Sequence, residues 1–526
     1  MSAAFWEAAG LAVVGGAFSY RQLTGWLYLF QLDEYLPARL WPTASRRAAA
    51  HWRWQIGLLL GASALAVLAL EVTSALRPIP LLVACALPWV FWRPFATRDN
   101  LKWTTRARRL GLLAGATVLV ILFLGFLEGP LGAVLVGLVD MLALLGLNLA
   151  SALLSPYETR QRRRFMRRAE SLLSVSHPVV IGITGSYGKT TTKVLLEQLL
   201  EEADNPCFAT PESFNTTLGV CRAINEGLGP QHTSAVLEMG AYRPGEIEEI
   251  CSFTHPKVGI VTAIGLMHLE RFGSRERIAE AKSELLSALP LDGLAVLPSS
   301  IAERALLVRR LQARLVLVGT PSDRWWIEGE AVTANGTSFL LRGSQGEEIA
   351  LRVPLYGRHL LSDLLCALAV ALELGRPLPQ LAAKVAGITG APHRLQVTQN
   401  AGITIIDDAY NSNPEGAAEA LRLLGSLPGD RRVLVTPGYI ELGSEQEQSM
   451  RELGRMAAGV CTHVILVGPR HSAAVKLGLQ DAGFPADQVT VVTDLAGAQG
   501  RLPQVAGAGS VVLFENDLPD QYLERA

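Results

Sequence analysis

A glycine-rich loop between two apolar segments contains the residues of this chain that are best suited to chemistry. Residues 178–193 read PVVIGITGSYGKTTTK, in which a short β-branched run ends in a glycine turn and helical spacing follows. Backbone N–H groups of such a turn can face phosphate oxygens, while the Lys189 ammonium reaches phosphate and the Thr190 hydroxyl can ligate Mg²⁺. The spacing predicts a nucleoside triphosphate site. Its predicted contacts in the loop are Gly185, Ser186, Gly188, Lys189, Thr190 and Thr191.

The loop is a variant of the common phosphate-binding spacing. That spacing would require glycine at position 183, which is Ile183 here. The alternative interpretation is an ordinary glycine turn that is followed by a lysine by chance. The strand-like run before the turn and the helix-like run TTTKVLLEQLLEEA after it favour the phosphate loop.

Three further residues could take part in metal or phosphate chemistry. Glu238 stands at the end of the strand-like run SAVLEMG, and His268 follows the run KVGIVTAIG. Ends of parallel strands commonly carry ligands, and a carboxylate with an imidazole could hold Mg²⁺ near ATP. Lys282 lies in the helix-like run RERIAEAKSELLSAL. Taken singly, each has an ordinary alternative: a structural loop residue for the first two, and a solvated charge for the lysine.

The elements around these residues alternate between strand and helix from Ser176 onward. This alternation predicts an α/β fold with a mainly parallel sheet. A polar, β-rich stretch follows at residues 325–356, and a second alternating set predicts a Rossmann-like domain from about Ala391. A site in a cleft between two such domains is expected. The net charge of −1 gives no support to nucleic-acid binding, and the six scattered cysteines without a C-x-x-C pair argue against a zinc ribbon.

The first part of the chain predicts a membrane module. Apolar windows of about bilayer length occupy residues 3–20, 54–76, 110–127 and 130–154, with a shorter one at 80–92. Basic residues cluster at 39–53, 93–109 and 160–168, whereas the turns near Arg77 and Glu128 are nearly free of them. The positive-inside rule then predicts five spans, an outside N-terminus and catalytic domains in the cytoplasm.

Four sequence blocks resemble the Mur ligases. In chain order they are TGSYGKTTTK, VLEMGAYRPGEIEEI, TAIGLMHLERFGSRERIAEAKSELL and IIDDAYNSNPEGAAEAL, within residues 178–468. The similarity is greatest to the branch that adds D-alanyl-D-alanine to the peptidoglycan precursor. It implies a P-loop central domain and an ATP-dependent amide-bond ligase. In that family ATP phosphorylates a carboxylate, and an amine attacks the acyl phosphate.

The resemblance also implies roles for individual residues. It assigns phosphate and Mg²⁺ contacts to Lys189 and Thr190, and metal ligation to Glu238 and His268. Lys282 corresponds to the lysine that the family carbamylates with CO₂ to hold a second Mg²⁺. A place near the metal site is implied for Asn215. The implied ATP contacts from the C-terminal domain are Arg394, Asp408, Tyr410 and Asn411.

The predicted organisation is a membrane module at 1–168, a central ATP-binding domain at 175–390 and a C-terminal ligase domain at 391–526. The module stands where the Mur ligases have a uridine-nucleotide-binding domain. Departures from the family pattern fall on the amine-substrate side. They are Asp363 for an asparagine, Gly438 for an aspartate, Met450 for a histidine, and FENDLPDQY for a K-G-S-type loop.

The expected function is a ligase of the cell membrane that joins an amino acid or dipeptide to a cell-wall precursor, which a membrane module could present in lipid-linked form. A poly-γ-glutamate-type polymer synthase and a non-ligating, ATP-binding regulator of wall synthesis are the alternatives. Amidating relatives of the Mur ligases carry a cysteine-rich zinc element, which the cysteine pattern does not match.

Overall fold

The chain forms two compact units, residues 1–163 and 164–526. They are seen in a computed structural model, which describes residues 3–32, 35, 41, 60–70, 79–84, 101–128, 131, 134–135, 138–265, 269–333, 336–410, 412–440, 442–469 and 471–516. Of the residues with expected roles, His268 and Asn411 lie outside the described residues.

The N-terminal unit is helical. Its long helices are α1 (Ala3–Leu32), α2 (Thr105–Leu127) and α3 (Val139–Ser176), the last of which continues into the second unit. Small residues allow these helices to approach closely: a Cβ atom at Gly146 of α3 would lie 3.2 Å from the carbonyl oxygen of Ala114 in α2. Shorter helical segments occupy residues 60–70 and 79–84.

Two helices in the described part of the chain are long and apolar enough to cross a membrane, Thr105–Leu127 and Met141–Ser176. They overlap the predicted windows 110–127 and 130–154. The window 3–20 lies within α1, while the windows 54–76 and 80–92 fall mostly outside the described residues. Core helices of soluble proteins and signal sequences can meet the same criterion, so the five-span arrangement stays a prediction.

The second unit begins with a sheet in which nine strands are described. Their order is β2-β3-β1-β4-β5-β6-β7-β8-β9, parallel up to β7 and antiparallel beyond it. The strands are β1 (Val179–Thr184), β2 (Cys207–Ala209), β3 (Ser234–Glu238), β4 (Val258–Val261), β5 (Leu294–Pro298), β6 (Arg314–Val318), β7 (Trp325–Thr333), β8 (Gly336–Gly343) and β9 (Glu348–Val353). Buried runs such as VVIGIT in β1 suit a parallel sheet that is covered on both faces.

Helices cover both faces of this sheet and bury two apolar clusters against it. They are α4 (Lys189–Leu200), α5 (Thr217–Gly227), α6 (Glu246–Thr254), α7 (Leu269–Phe272), α8 (Arg275–Ser287), α9 (Arg304–Leu307), α10 (Arg358–Glu373) and α11 (Leu378–Val385). The α4 helix follows β1 directly, so its N-terminus stands at the carboxyl end of the sheet.

A second sheet, with six strands described, has the order β10-β11-β15-β12-β13-β14 and is parallel except for β10. Its strands are β10 (Gln396–Asn400), β11 (Ile403–Asp408), β12 (Arg431–Thr436), β13 (His463–Val467), β14 (Val489–Val492) and β15 (Ser510–Glu515). The associated helices are α12 (Pro414–Ser426), α13 (Gln446–Ala458), α14 (Ala473–Asp481) and α15 (Leu495–Val505). Two mainly parallel sheets with covering helices confirm the predicted α/β class.

Candidate active site

The glycine-rich loop joins β1 to α4, as the sequence predicts. Gly188 has φ +81°, and a Cβ atom at this position would collide with the Asp363 carboxyl group of α10. Ser186 is held by the segment after β4, because its N–H donates to the carbonyl of Ala263 at 2.8 Å and its Oγ accepts from the N–H of Gly265 at 3.0 Å. Glycine is therefore required by both backbone conformation and space, and neighbouring strands brace the loop.

Lys189 lies over the loop that it follows. Its Nζ donates hydrogen bonds to the carbonyl oxygens of Gly185 and Ser186, at 2.8 and 3.1 Å. Burial lowers the pKa of this lysine, with the nearby Arg394 guanidinium acting in the same direction against the carboxylate of Glu238. These positive groups create a strong attraction for an anion at the loop.

Glu238 is the centre of a polar cluster at the end of β3. Its carboxylate, 1 % exposed, accepts hydrogen bonds from the Thr190 hydroxyl at 2.9 Å and from the Asn215 amide at 2.9 Å. The buried Lys193 ammonium lies 3.4 Å from Glu238 Oε2. Sequence reasoning did not include Lys193, although its position one helical turn after Lys189 was a usable signal.

The donors around Glu238 suit a hard divalent cation. A carboxylate and a threonine hydroxyl are oxygen ligands of the kind that Mg²⁺ prefers, so these residues fit such an ion. No group of three or more His, Cys, Asp or Glu side chains with metal-binding geometry occurs among the described residues, a set to which the expected ligand His268 does not belong.

Lys282 is a buried lysine of α8, with a side chain only 3 % exposed. Burial, together with the positive charge of Lys189, lowers its pKa to about 7. The lowered pKa gives this lysine a larger neutral fraction than an exposed lysine has, and only the neutral amine reacts with CO₂. The burial thus removes the alternative of an ordinary solvated charge.

The C-terminal domain contributes Arg394, which precedes the second sheet. Its guanidinium carbon lies 4.7 Å from the centre of the Tyr410 ring, and its neighbours His393 and Leu395 both have positive φ angles, +58° and +44°. Leu395 donates its N–H to Asp408 Oδ1 at 3.1 Å. A non-glycine backbone held in this region on both sides of an arginine is a costly arrangement that often accompanies function.

The two domains meet at the phosphate loop. The Tyr187 phenol interacts with the Glu415 carboxylate at the start of α12, and burial together with this contact raises the pKa of Tyr187. The Arg394 guanidinium is near enough to Lys189 and Asp363 to affect the pKa of each. The structure therefore brings together the loop residues, Glu238, Asn215, Lys282 and Arg394. The side chain of Thr191, another residue with an expected phosphate contact, is buried in α4.

Comparison with known proteins identifies the family. Residues 183–371 match the Mur ligase middle domain, and residues 393–515 match the Mur ligase glutamate ligase domain. A UDP-N-acetylmuramoyl-tripeptide--D-alanyl-D-alanine ligase of Mycobacterium leprae is 33 % identical over 370 residues, which cover 64 % of this chain and 70 % of the relative. The chain belongs to the Mur ligase family. It is accordingly an ATP-dependent ligase that forms C–N bonds.

Other members agree with this assignment. The Escherichia coli enzyme of the same name is 30 % identical to this Mur ligase over 322 residues, or 60 % of this chain and 70 % of the relative. A crystal structure of MurF from Acinetobacter baumannii superposes with a TM-score of 0.62 at 28 % identity, covering 69 % of this chain and 79 % of that one. MurF from Thermotoga maritima in complex with ADP superposes with a TM-score of 0.61 at 25 % identity, covering 69 % of this chain and 82 % of that one.

Within this Mur ligase, Asp363 stands where the sequence resemblance leads us to expect an asparagine. It is buried beneath the loop, and burial raises its pKa well above the usual range for an aspartate. The sequence revealed the substitution, but not that the carboxyl group fills the space which Gly188 leaves free.

Proposed function

We propose that this Mur ligase joins an amine donor to the carboxylate of a peptidoglycan precursor, with D-alanyl-D-alanine as the donor by analogy with its relatives. ATP would first phosphorylate the acceptor carboxylate, and the amine would then displace phosphate from the acyl phosphate. The observation that carries the proposal is the convergence of Lys189, Glu238, Lys282 and Arg394 around one loop.

Charge balance explains why these residues belong together. ATP and an acceptor carboxylate bring several negative charges into a small volume, which opposes the approach of the two reactants. Lys189, from the loop, and Arg394, from the C-terminal domain, would bind the phosphates and stabilise the charge that develops on them. The Tyr187–Glu415 contact would hold the domains together around the reactants and limit the access of water to the acyl phosphate.

Mg²⁺ fits the residues at the end of β3. Thr190 and Glu238 would hold it, together with His268 and with Lys282 if that lysine is carbamylated. When bound, Mg²⁺ would neutralise phosphate charge. Asn215 would orient the Glu238 carboxylate through its 2.9 Å hydrogen bond, and Lys193 would hold it from the other side at 3.4 Å. In the C-terminal domain, Asp408, Tyr410 and Asn411 would contact the nucleoside.

We further propose that the N-terminal unit is membrane-embedded and that the acceptor is lipid-linked. Apolar side chains of α2 are exposed, with Leu112 at 75 %. The Arg106 guanidinium is 2.7 Å from Glu158 of α3, and Arg109 lies 5.1 Å from the Tyr157 ring, so two basic segments share one end of the helix pair. Basic residues at one end of apolar helices favour a cytoplasmic orientation of that end.

The decisive experiment is a ligation assay with the full-length protein in detergent. Water-soluble and lipid-linked wall precursors would be supplied separately with Mg-ATP and D-alanyl-D-alanine, and phosphate release and product mass would be measured. We expect phosphate release coupled to a heavier lipid-linked product. Arg394→Ala should abolish this turnover, whereas Arg309→Ala, an exposed arginine of the central domain, should not.

Other results of this assay would contradict either the lipid-linked acceptor or the ligase mechanism. A product formed only from the soluble precursor would contradict the lipid-linked acceptor. Turnover without any heavier product, or equal turnover in the Arg394→Ala variant, would contradict the ligase mechanism described above.

A further inference from the structure

Lys193 is a buried lysine that is paired with a proposed metal ligand. It follows Lys189 by one turn of α4, and its side chain is 3 % exposed. Its Nζ lies 3.4 Å from Glu238 Oε2 and donates a hydrogen bond to the carbonyl oxygen of Glu212. Lysines are almost never fully buried unless their charge is paired. The position of Lys193 in the core therefore depends on Glu238.

Protein groups contact both oxygens of the Glu238 carboxylate. Oε1 accepts a hydrogen bond from the Asn215 amide, and Oε2 accepts one from the Thr190 hydroxyl, each at 2.9 Å. Oε2 also faces the Lys193 ammonium. The carboxylate that would hold Mg²⁺ thus has a cation of the protein beside it, and a metal ion has to approach Glu238 against that charge.

The loop before α5, residues 210–216, keeps the Lys193 ammonium in this place. At one end of the loop, the Thr210 hydroxyl accepts the N–H of Glu238 at 3.1 Å. In its middle, Glu212 has a left-handed backbone with φ +46°, and its carbonyl accepts the hydrogen bond from Lys193. If the ammonium moved away, it would lose this bond and leave two charges unpaired in the core, which is costly. Lys193 is therefore a fixed charge.

The Glu238 carboxylate is shared between two lysines. Burial lowers the pKa of both Lys189 and Lys193, and Glu238 opposes each shift. The carboxylates of Glu197 and Glu212 also act on Lys193, but more weakly than Glu238 does. The attraction of Glu238 for a divalent cation is thus offset by neighbouring ammonium groups. Nucleotide phosphates at the loop would add the negative charge that a metal ion needs there.

We propose that Lys193 acts through Glu238 as a counter-ion that makes divalent-metal binding depend on the nucleotide. The ammonium offsets the charge of Glu238, so a metal ion is held well only when phosphates supply further negative charge. The inference rests on the proposed function, because it takes Thr190 and Glu238 as the metal ligands. A purely structural ion pair would behave differently, since its loss would lower stability without strengthening metal binding.

A metal-binding titration tests this role without ligation. Mn²⁺, which prefers the same oxygen ligands as Mg²⁺, would be added to the full-length proteins in detergent, and free Mn²⁺ would be measured by electron paramagnetic resonance. Without nucleotide, we expect Lys193→Met to lower the Kd for Mn²⁺ at least about tenfold relative to the wild type. Lys193→Arg keeps the charge and should bind like the wild type. So should the matched control Lys476→Met, which changes an exposed lysine of α14.

Two further measurements locate the ion and establish the nucleotide dependence. Glu238→Gln, added to Lys193→Met, should return the Kd for Mn²⁺ at least to the wild-type value. ADP should lower the Kd of the wild type at least about tenfold, after correction for the Mn²⁺ that ADP binds without protein. If Lys193→Met does not fold, Lys193→Gln gives the same comparison, because its amide can still donate to Glu212.

The proposal is overturned if removal of the Lys193 charge does not tighten Mn²⁺ binding, if Lys193→Arg tightens it, or if the tighter binding survives Glu238→Gln. Equal binding by the wild type with and without ADP would overturn it too. ADP-dependent binding by the wild type, with no tighter binding in Lys193→Met, rejects this inference alone. No binding by the wild type even with ADP rejects the metal site of the proposed function as well.

Discussion

At the scale of single residues, burial changes what a side chain can do. Lys282 and Lys193 are both lysines on helices, and both are almost completely buried. Lys193 has the Glu238 carboxylate at 3.4 Å and is a paired cation. Lys282 is near another lysine instead, and its pKa falls to about 7. Lys193 is thus paired with a carboxylate, whereas the charged form of Lys282 is disfavoured by burial and by the neighbouring Lys189.

We predict that Lys282→Ala lowers product formation at least about a hundredfold, because the carbamylated lysine that we propose would hold a second metal ion. ATP binding should change little. Added bicarbonate should increase product formation by the wild type. As a control, Lys476→Ala, which changes an exposed lysine of α14, should leave product formation unchanged. The measurement is phosphate release with product mass. Full activity of Lys282→Ala would refute the two-metal arrangement.

The buried carboxyl group of Asp408, which pairs with Glu515 across β11 and β15, predicts a pH dependence of stability. Burial raises the pKa of Asp408 to about 6, and the Arg394 guanidinium opposes this rise. A raised pKa means that the native state binds more protons than the unfolded state between about pH 4 and pH 6. The stability that Asp408 contributes is thus present below about pH 4 and is lost as the pH rises through about 6.

Asp408→Asn should remove this dependence. We expect its Tm, measured without nucleotide, to rise relative to the wild type as the pH is increased from about 4 to about 7. Asp487 is exposed, and the Tm difference between Asp487→Asn and the wild type should stay constant over the same pH range. A Tm difference between Asp408→Asn and the wild type that is independent of pH would show that Asp408 does not titrate in this range.

At the scale of elements, the β1–α4 connection is constrained more tightly than its motif suggests. Gly188 is the N-cap residue of α4 and has a left-handed backbone, and α10 packs its Asp363 side chain against it. The phosphate loop and α10 therefore pack together, although Gly188 and Asp363 are 175 positions apart in the chain.

We predict that Gly188→Ala raises the Kd for ATP at least about tenfold, because an alanine there has a left-handed backbone that costs about 1–2 kcal/mol and also meets Asp363. Calorimetric titration with an ATP analogue would measure the Kd. Gly375→Ala is the matched control, since Gly375 has φ +86° with no atom within 4 Å of its Cβ position. The collision is supported if Asp363→Ala partly restores ATP binding to Gly188→Ala, and it is refuted if the double variant binds no better.

At the scale of the whole molecule, the chain combines a helical unit with a catalytic unit. Ala169 and Leu173 of α3 belong to the buried core of the catalytic unit, so a truncation after residue 168 keeps the buried residues of that core and removes the partly buried Met166. The catalytic unit then retains every described residue that we place in the nucleotide site.

We predict that deletion of residues 1–168 leaves ATP binding within about threefold of the wild type, because the phosphate loop and its bracing strands remain. Use of a lipid-linked acceptor should fall at least about tenfold relative to a soluble acceptor. Competition between the two acceptors, followed by mass spectrometry, would measure the ratio. If the truncated protein uses both acceptors as the full-length protein does, the N-terminal unit has no part in presenting the acceptor.

Much of the catalytic unit could be predicted because its signals are local. The apolar run of β1, the glycines of the loop and the helical spacing of α4 are adjacent in the chain, and they predict the phosphate loop without knowledge of distant residues. The same holds for the strand end at Glu238. The family assignment rests on several such local motifs in one order, and it is confirmed.

The sequence by itself thus determined the α/β class, the phosphate loop and the family, since each depends on short-range spacing. Only the tertiary structure decided which titratable side chains meet: Lys193 with Glu238, Tyr187 with Glu415, and Asp408 with Glu515. These pairs join segments far apart in the chain, and their consequences depend on burial, which no local pattern specifies. The lowered pKa of Lys282 and the raised pKa of Asp408 arise in the same way, because desolvation is a property of the packed fold.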